Sequence, residues 1–274
     1  MGLGRAIAEA CAAEGADVFL CARGAAELER AQSEIAEKAA PGKKVSALAA
    51  DVSKPEQAEK LVKAAQKAMP NLQGLVNCAG VYGPPGALDE VDWAEWVKTL
   101  EINLFGTVAL CRAVLPVFRK RGYGKIVNLS GGGASGPLPR MSAYATSKGA
   151  IVHFTETLAA ELKGTGIDVN ALAPGPLNTR LLDQVLEAGP EKVGADFHAR
   201  AVKQKKEGGA PMDKGAALCA YLLSTDGDGI TGKLLSAQWD PWKTLQEHRA
   251  DLEGGDIYAL RRIVPKDRGL KWGA

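Results

Sequence analysis

Short apolar runs recur along the chain, separated by longer stretches in which apolar residues return at helical spacing. The runs Asp17 to Ala22, Val45 to Ala50, Gly74 to Asn77, Lys125 to Leu129, Ile167 to Ala171 and Lys233 to Ala237 predict buried parallel strands. The stretches Gly4 to Ala13, Ala25 to Ala39, Pro55 to Met69, Trp93 to Arg119 and Ala143 to Leu162 predict helices. Strand and helix alternate, so the predicted fold class is α/β with a doubly wound parallel sheet. Ser53 ahead of Pro55 marks a plausible helix start, and Gly15 stands where a left-handed residue would end the first helix. The stretch Asn178 to Pro211 breaks the pattern, is rich in charge and glycine, and is expected to be a mobile substrate lid.

Composition adds bounds rather than a different picture. A chain of 274 residues with 46% hydrophobic and 24% charged residues can bury one sizeable core. Lys and Arg (34) barely exceed Asp and Glu (32), and even the densest basic group, Lys203/Lys205/Lys206, reads as a solvated face, so no nucleic-acid partner is expected. Cys11, Cys21, Cys78, Cys111 and Cys219 form no Cys-x-x-Cys pair and lie in apolar segments, which predicts reduced core thiols and no metal site. No run approaches the ~18 apolar residues of a membrane span, and no charged-then-apolar leader precedes residue 20, so a cytoplasmic protein without a membrane partner is expected.

Candidate chemistry begins at Gly2-Leu3-Gly4, which runs straight into a helix. Glycines there let backbone amides at a helix N-terminus approach a pyrophosphate, although glycines near helix starts also serve as plain caps. One helix later a strand ends at Ala22-Arg23, where a dinucleotide fold inspects the adenosine ribose. An acidic residue would hold a free 2′-hydroxyl, whereas the Arg23 guanidinium suits a 2′-phosphate, favouring NADP over NAD. Tyr144 and Lys148, four residues apart, share one face of a long helix. An ammonium beside a phenol stabilises the phenolate, and such a pair can exchange a proton with an alcohol or ketone.

With Tyr144-Ala145-Thr146-Ser147-Lys148 in place, the sequence resembles the short-chain dehydrogenase/reductase family over nearly all its length up to about residue 237. Tyr-x-x-x-Lys is that family's catalytic signature, and other matches follow in order. Asp51-Val52 resembles the adenine-contacting site, and Asn77-Cys78-Ala79-Gly80 resembles the Asn-Asn-Ala-Gly turn. Asn103 matches the helix asparagine that holds a relay water, and Pro174, Gly175, Leu177 and Thr179 fall in the loop that receives the nicotinamide carboxamide. The resemblance implies a Rossmann-like three-layer αβα domain over 1–237, with a C-terminal extension over 238–274. It also implies hydride transfer between NADP(H) and a carbinol carbon of a small-molecule substrate, with Tyr144 exchanging the proton. Lys148 would lower the Tyr144 pKa and bind the nicotinamide ribose, and a homodimer or homotetramer is the implied assembly. The charged lid suggests a polar substrate. Rival readings are a catalytically silent dinucleotide-binding protein, an NAD-linked dehydrogenase of a sugar-like substrate, and an epimerase or dehydratase of the longer relatives' kind.

Three departures stand out. The family's serine precedes the tyrosine by thirteen positions, and Gly131 stands there, with Ser130 one place early. A one-residue slip reverses the face of a strand residue, so a bulge in Gly131-Gly132-Gly133 is expected to re-aim Ser130 at the substrate oxygen, with Ser142 in reserve. The family's first strand and its Thr-Gly lead-in have no counterpart, which implies a natural start about ten or more residues earlier and, without that strand, unpaired backbone on its two neighbours. The tail from Ser236 carries Trp239, Trp242, Tyr258 and Trp272, and is expected to dock on a neighbouring subunit, close a site, or pack on its own subunit.

Overall fold

In the computed structural model, residues 2–272 are described. The element order is α1 (Leu3–Ala13), β1 (Val18–Ala22), α2 (Ala25–Ala36), β2 (Val45–Ala49), α3 (Pro55–Ala68), β3 (Gly74–Asn77), α4 (Trp93–Leu100), α5 (Gly106–Arg121), β4 (Gly124–Leu129), α6 (Ser142–Glu161), β5 (Ile167–Ala173), α7 (Arg180–Val193), α8 (Ala195–Glu207), α9 (Met212–Leu223), β6 (Leu234–Ser236) and α10 (Arg249–Leu252). All the strand pairs are parallel, and helices cover both faces, giving the expected Rossmann-like three-layer arrangement.

The strands form two sheets, β1-β2 and β3-β4-β5-β6, and among the described residues no strand lies between β1 and β3. Each of these two strands therefore has one edge without a sheet partner. The effect on burial is direct: β4 is buried throughout, whereas Val18, Phe19, Leu20 and Cys21 of β1 are only half-buried. On one side, α1 and α9 pack Leu3, Ile7, Leu218 and Leu222 against Val127, Leu129, Leu172 and Leu235. On the other, Leu61 and Val62 of α3 meet Leu110, Val114 and Phe118 of α5 and Leu158 of α6 over Ile126, Ile167 and Val169. These side layers join the two sheets.

A five-residue π-helical turn over Glu101–Phe105 links α4 to α5, making one helical body from Trp93 to Arg121. An 18-residue window within its 29 residues reaches a mean hydropathy of 1.5, which by length and composition alone would suffice to cross a membrane. In the fold it lies as a flanking helix against α3, α6 and β4. The stretch at 178–211, expected as a substrate lid, holds α7 and α8, because Leu182, Val185 and Leu186 recur at helical spacing and bury one face.

The tail packs on its own chain. Leu245 and Leu252 join the main apolar core, the Leu234 N–H donates to the Tyr258 carbonyl at 2.8 Å, and the Leu260 N–H donates to Glu156 Oε1 at 2.6 Å. Trp242 leans on Tyr221 with ring centroids 5.8 Å apart. The outer edge of β6 is thereby covered.

Candidate active site

The C-terminal ends of the strands and the start of α1 enclose a cavity of about 2910 Å³ that continues into the slot between β1 and β3. Its lining includes Gly2, Leu3, Gly4, Arg23, Asp51, Val52, Asn77, Ala79, Gly80, Ser130, Tyr144, Lys148, Pro174, Gly175, Leu177 and Thr179. Residues separated by up to 177 positions in the chain thus converge because every strand of a parallel sheet delivers its end to one side. The approach is tight where α1 begins: a Cβ on Gly4 would lie 3.2 Å from Cys78 Sγ. Gly2 has φ 87°, a left-handed conformation suited to glycine.

At the far side of the cavity, Arg23 is exposed at the end of β1 near Asp51. Burial works against the Asp51 carboxylate, but hydrogen bonds from the Ser53 N–H and hydroxyl, together with the charges of Arg23 and Lys54, hold it below the usual range. Thr179 caps α7, its Oγ1 accepting from the Leu181 N–H at 3.3 Å. Gly175, with φ 89°, is closed over by Gln238 of the tail, whose side chain donates to the Pro174 carbonyl at 3.4 Å.

Tyr144 and Lys148 lie on the face of α6 turned to the end of β4. Lys148 Nζ donates to the Leu129 carbonyl at 2.8 Å and sits 5.6 Å from the Tyr144 ring centroid. Burial pushes the Lys148 pKa down to about 8. The Tyr144 hydroxyl is pushed up, first by burial and then by Tyr82, the two rings meeting edge-on with centroids 4.6 Å apart. Desolvation is the largest cause of both shifts.

Asn103, fully buried in the π turn, does not line the cavity. Its Oδ1 accepts from the Val81 N–H at 2.8 Å, while Nδ2 donates to the Val81 carbonyl and to Ser147 Oγ, both at 2.9 Å. A Cβ on Gly80 would lie 3.5 Å from Asn103 Oδ1 and 3.6 Å from Lys148 Nζ, so Asn103 clamps the turn that Lys148 packs against. Asn77 donates to Asn128 Oδ1 at 2.8 Å, tying β3 to β4 beneath the site, and its own Oδ1 is buried without a partner.

The glycine run leaves Ser130 in regular register and not in the expected bulge. The Ser130 N–H continues the regular pairing by donating to the Leu172 carbonyl at 2.8 Å, and its buried Oγ has no hydrogen-bond partner. Gly131 is the residue against the phenol, because a Cβ there would stand 2.6 Å from Tyr144 Oη. Ser142 is engaged elsewhere, accepting from Trp96 Nε1 at 3.0 Å. Sequence reasoning also missed Tyr82, for which no local pattern exists, and the apolar wall of α7 and α8, which helical periodicity would have revealed.

Comparison with known proteins agrees with this geometry. Residues 1–189 match the family model described as short chain dehydrogenase. A short chain dehydrogenase of Pseudocercospora fijiensis is 38% identical over 98% of this chain and 86% of its own. Dehydrogenase/reductase SDR family member 4 of Bos taurus is 34% identical over 85% of this chain and 80% of its own. Among solved structures, levodione reductase superposes with a TM-score of 0.78 at 30% identity, covering 86% of this chain and 91% of that one. An actinorhodin polyketide ketoreductase with NADPH gives 0.77 at 29% identity, covering 86% and 91%. An NAD+-bound xylitol dehydrogenase gives 0.77 at 28% identity, covering 85% and 92%. With more than half its length matched by the family model and with relatives above 30% identity across most of it, the chain belongs to the short-chain dehydrogenase/reductase family of oxidoreductases.

Proposed function

We propose that this chain is an NADP(H)-dependent oxidoreductase interconverting a ketone and an alcohol of a small substrate, with Tyr144 as general acid/base. The observation that carries the reading is the Tyr144/Lys148 pair on α6, set beside the end of β4 in the same cavity as the glycine-led start of α1. The fit for a dinucleotide lies in three features: close backbone approach at Gly4, an amide-rich helix start, and Asp51 and Arg23 at the opposite end. When bound, the nicotinamide supplies or accepts the hydride. Gly2, Leu3 and Gly4 would face the pyrophosphate, Asp51 and Val52 the adenine, Ala79, Gly80 and Lys148 the nicotinamide ribose, and Pro174 to Thr179 the carboxamide.

The chain's own groups then divide the work. Lys148, fixed by the Leu129 carbonyl, supplies a positive charge near the phenol, and Tyr144 Oη gives or takes the substrate oxygen's proton. Asn103 holds the Gly80–Val81 turn and Ser147 in register with Lys148. Arg23 supports NADP over NAD, since a guanidinium pairs with a 2′-phosphate where a carboxylate would repel it. The exposed Trp93 and Phe105 support association with a second copy, as a homodimer or homotetramer, and five free cysteines fit a reducing, cytoplasmic setting.

Fluorescence titration with NADPH and NADH tests the cofactor assignment. Arg23→Ala is expected to weaken NADPH about ten- to hundredfold, the worth of charge-assisted hydrogen bonds, and to leave NADH unchanged. Equal losses for both cofactors would refute the role given to Arg23. Tight binding with no turnover of any alcohol or ketone would favour a silent binding protein.

A further inference from the structure

The charges that suggested a polar substrate are carried by exposed or paired side chains of α7 and α8, and Arg180, Asp183, Arg200, Lys203 and Glu207 among them also reach the cavity lining. Arg180, Glu187, Glu191, Lys192, Asp196 and Arg200 are exposed on α7 and α8. Lys205 pairs with Asp183 at 2.7 Å and Lys203 with Glu207 at 3.9 Å, also toward solvent. The inner face is of opposite character: Leu182 is 5% exposed and Val185 2%, and both pack in one apolar cluster with Tyr144, Leu138, Phe197 and Tyr82. Tyr82, Leu138, Leu182, Val185 and Phe197 all line the cavity beside the phenol. The guanidinium of Arg200, an exposed residue of α8, lies 5.8 Å from the Phe197 ring centroid.

Resting on the oxidoreductase reading above, we infer that the substrate is an apolar ketone, or the secondary alcohol that is its reduced form, with hydrocarbon where it meets this wall. The wall offers a hydrocarbon skeleton dispersion contacts and release from water. Leu138, Leu182, Val185 and Phe197 offer a second hydroxyl no donor or acceptor, so a hydroxyl placed against them loses its water without replacement. In the reducing direction the carbonyl carbon gains a hydride, with its two electrons, from the reduced nicotinamide, which leaves oxidised. The oxygen gains the Tyr144 proton, and the phenolate regains one from solvent. A hydrophobic pocket discriminates against one added hydroxyl by up to about a hundredfold in kcat/KM.

The test compares cyclohexanone and 4-tert-butylcyclohexanone with a polyhydroxylated cyclohexanone, following NADPH oxidation by the full chain and, in parallel, ligand binding by saturation-transfer NMR. The expected result is a preference of at least about tenfold for the apolar ketones. Phe197→Asn should raise their KM about tenfold while NADPH affinity stays unchanged. Equal or better turnover of the polyhydroxylated ketone overturns the substrate class but leaves the oxidoreductase reading standing. Saturation transfer to the polyhydroxylated ketone alone overturns the substrate class even without turnover. Turnover that persists unchanged in Tyr144→Phe overturns the catalytic reading instead.

Discussion

At the scale of single residues, the contest at the site is between burial and charge. Lys148 is 4% exposed, and desolvation brings its pKa from the ordinary value near 10.5 to about 8. The folded chain therefore binds fewer protons at this group than the unfolded chain between pH 8 and 10.5, so stability rises with pH across that window. Lys148→Met lacks this term. Urea unfolding of both proteins should show the variant's advantage shrinking by about 3 kcal/mol between pH 7 and pH 11, and a constant difference would contradict the buried ammonium. Gly131 carries a second expectation at this scale. A methyl group there would meet Tyr144 Oη at 2.6 Å, so Gly131→Ala should displace the phenol and lower kcat about 10²-fold, whereas Ser130→Ala should change it less than about twofold. If Ser130→Ala carries the larger loss, Ser130 is the hydroxyl that holds the substrate oxygen.

At the scale of elements, most of the frame was legible because period and punctuation agree. The strand at Gly74–Asn77 has the expected bounds, and the others differ by one or two residues at their ends, where local pattern carries least information. The two helices within the lid stretch escape a reading that weighs its charge and glycine ahead of Leu182, Val185 and Leu186, whose spacing marks a helix face. The expected bulge at Ser130 is absent for a different reason. Whether three glycines bulge depends on the partner strand, and here Leu172 holds Ser130 in regular register. The unpaired edges of β1 and β3 were foreseen, and they have a measurable consequence. The Val18 N–H donates to Lys44 on the β2 side, so alternation points the Phe19 and Cys21 amides into the slot. The same logic on β3 points the Val76 amide there, since the Gln73 carbonyl accepts from Lys125 of β4. Hydrogen exchange is expected to be far faster at Phe19, Cys21 and Val76 than at Ile126 and Val127 of the enclosed β4. Equal protection would show that the slot is closed to water.

At the scale of the whole molecule, the tail is part of the core. Leu245 is 2% exposed within the same cluster as Leu218 and Leu235, and the Tyr258 carbonyl of the tail accepts from the Leu234 N–H at the start of β6. Leu245→Ala is expected to cost about 2–5 kcal/mol in urea unfolding, and a loss below about 1 kcal/mol would mean that the tail is only loosely applied. Gln238 extends the same tail onto the Pro174–Gly175 loop, linking the far end of the chain to the cavity wall. Sequence could not tell own-subunit packing from docking on a neighbour, because an aromatic-rich tail satisfies either. What the molecule does rests on whether its convergent residues serve one proton. The direct measurement is NADPH oxidation with a turned-over ketone by the parent chain and Tyr144→Phe, with NADPH affinity measured alongside. The variant should lose about 10²- to 10⁴-fold in kcat while binding NADPH within about twofold of the parent. Undiminished turnover in Tyr144→Phe would contradict the assignment of the phenol as the proton donor.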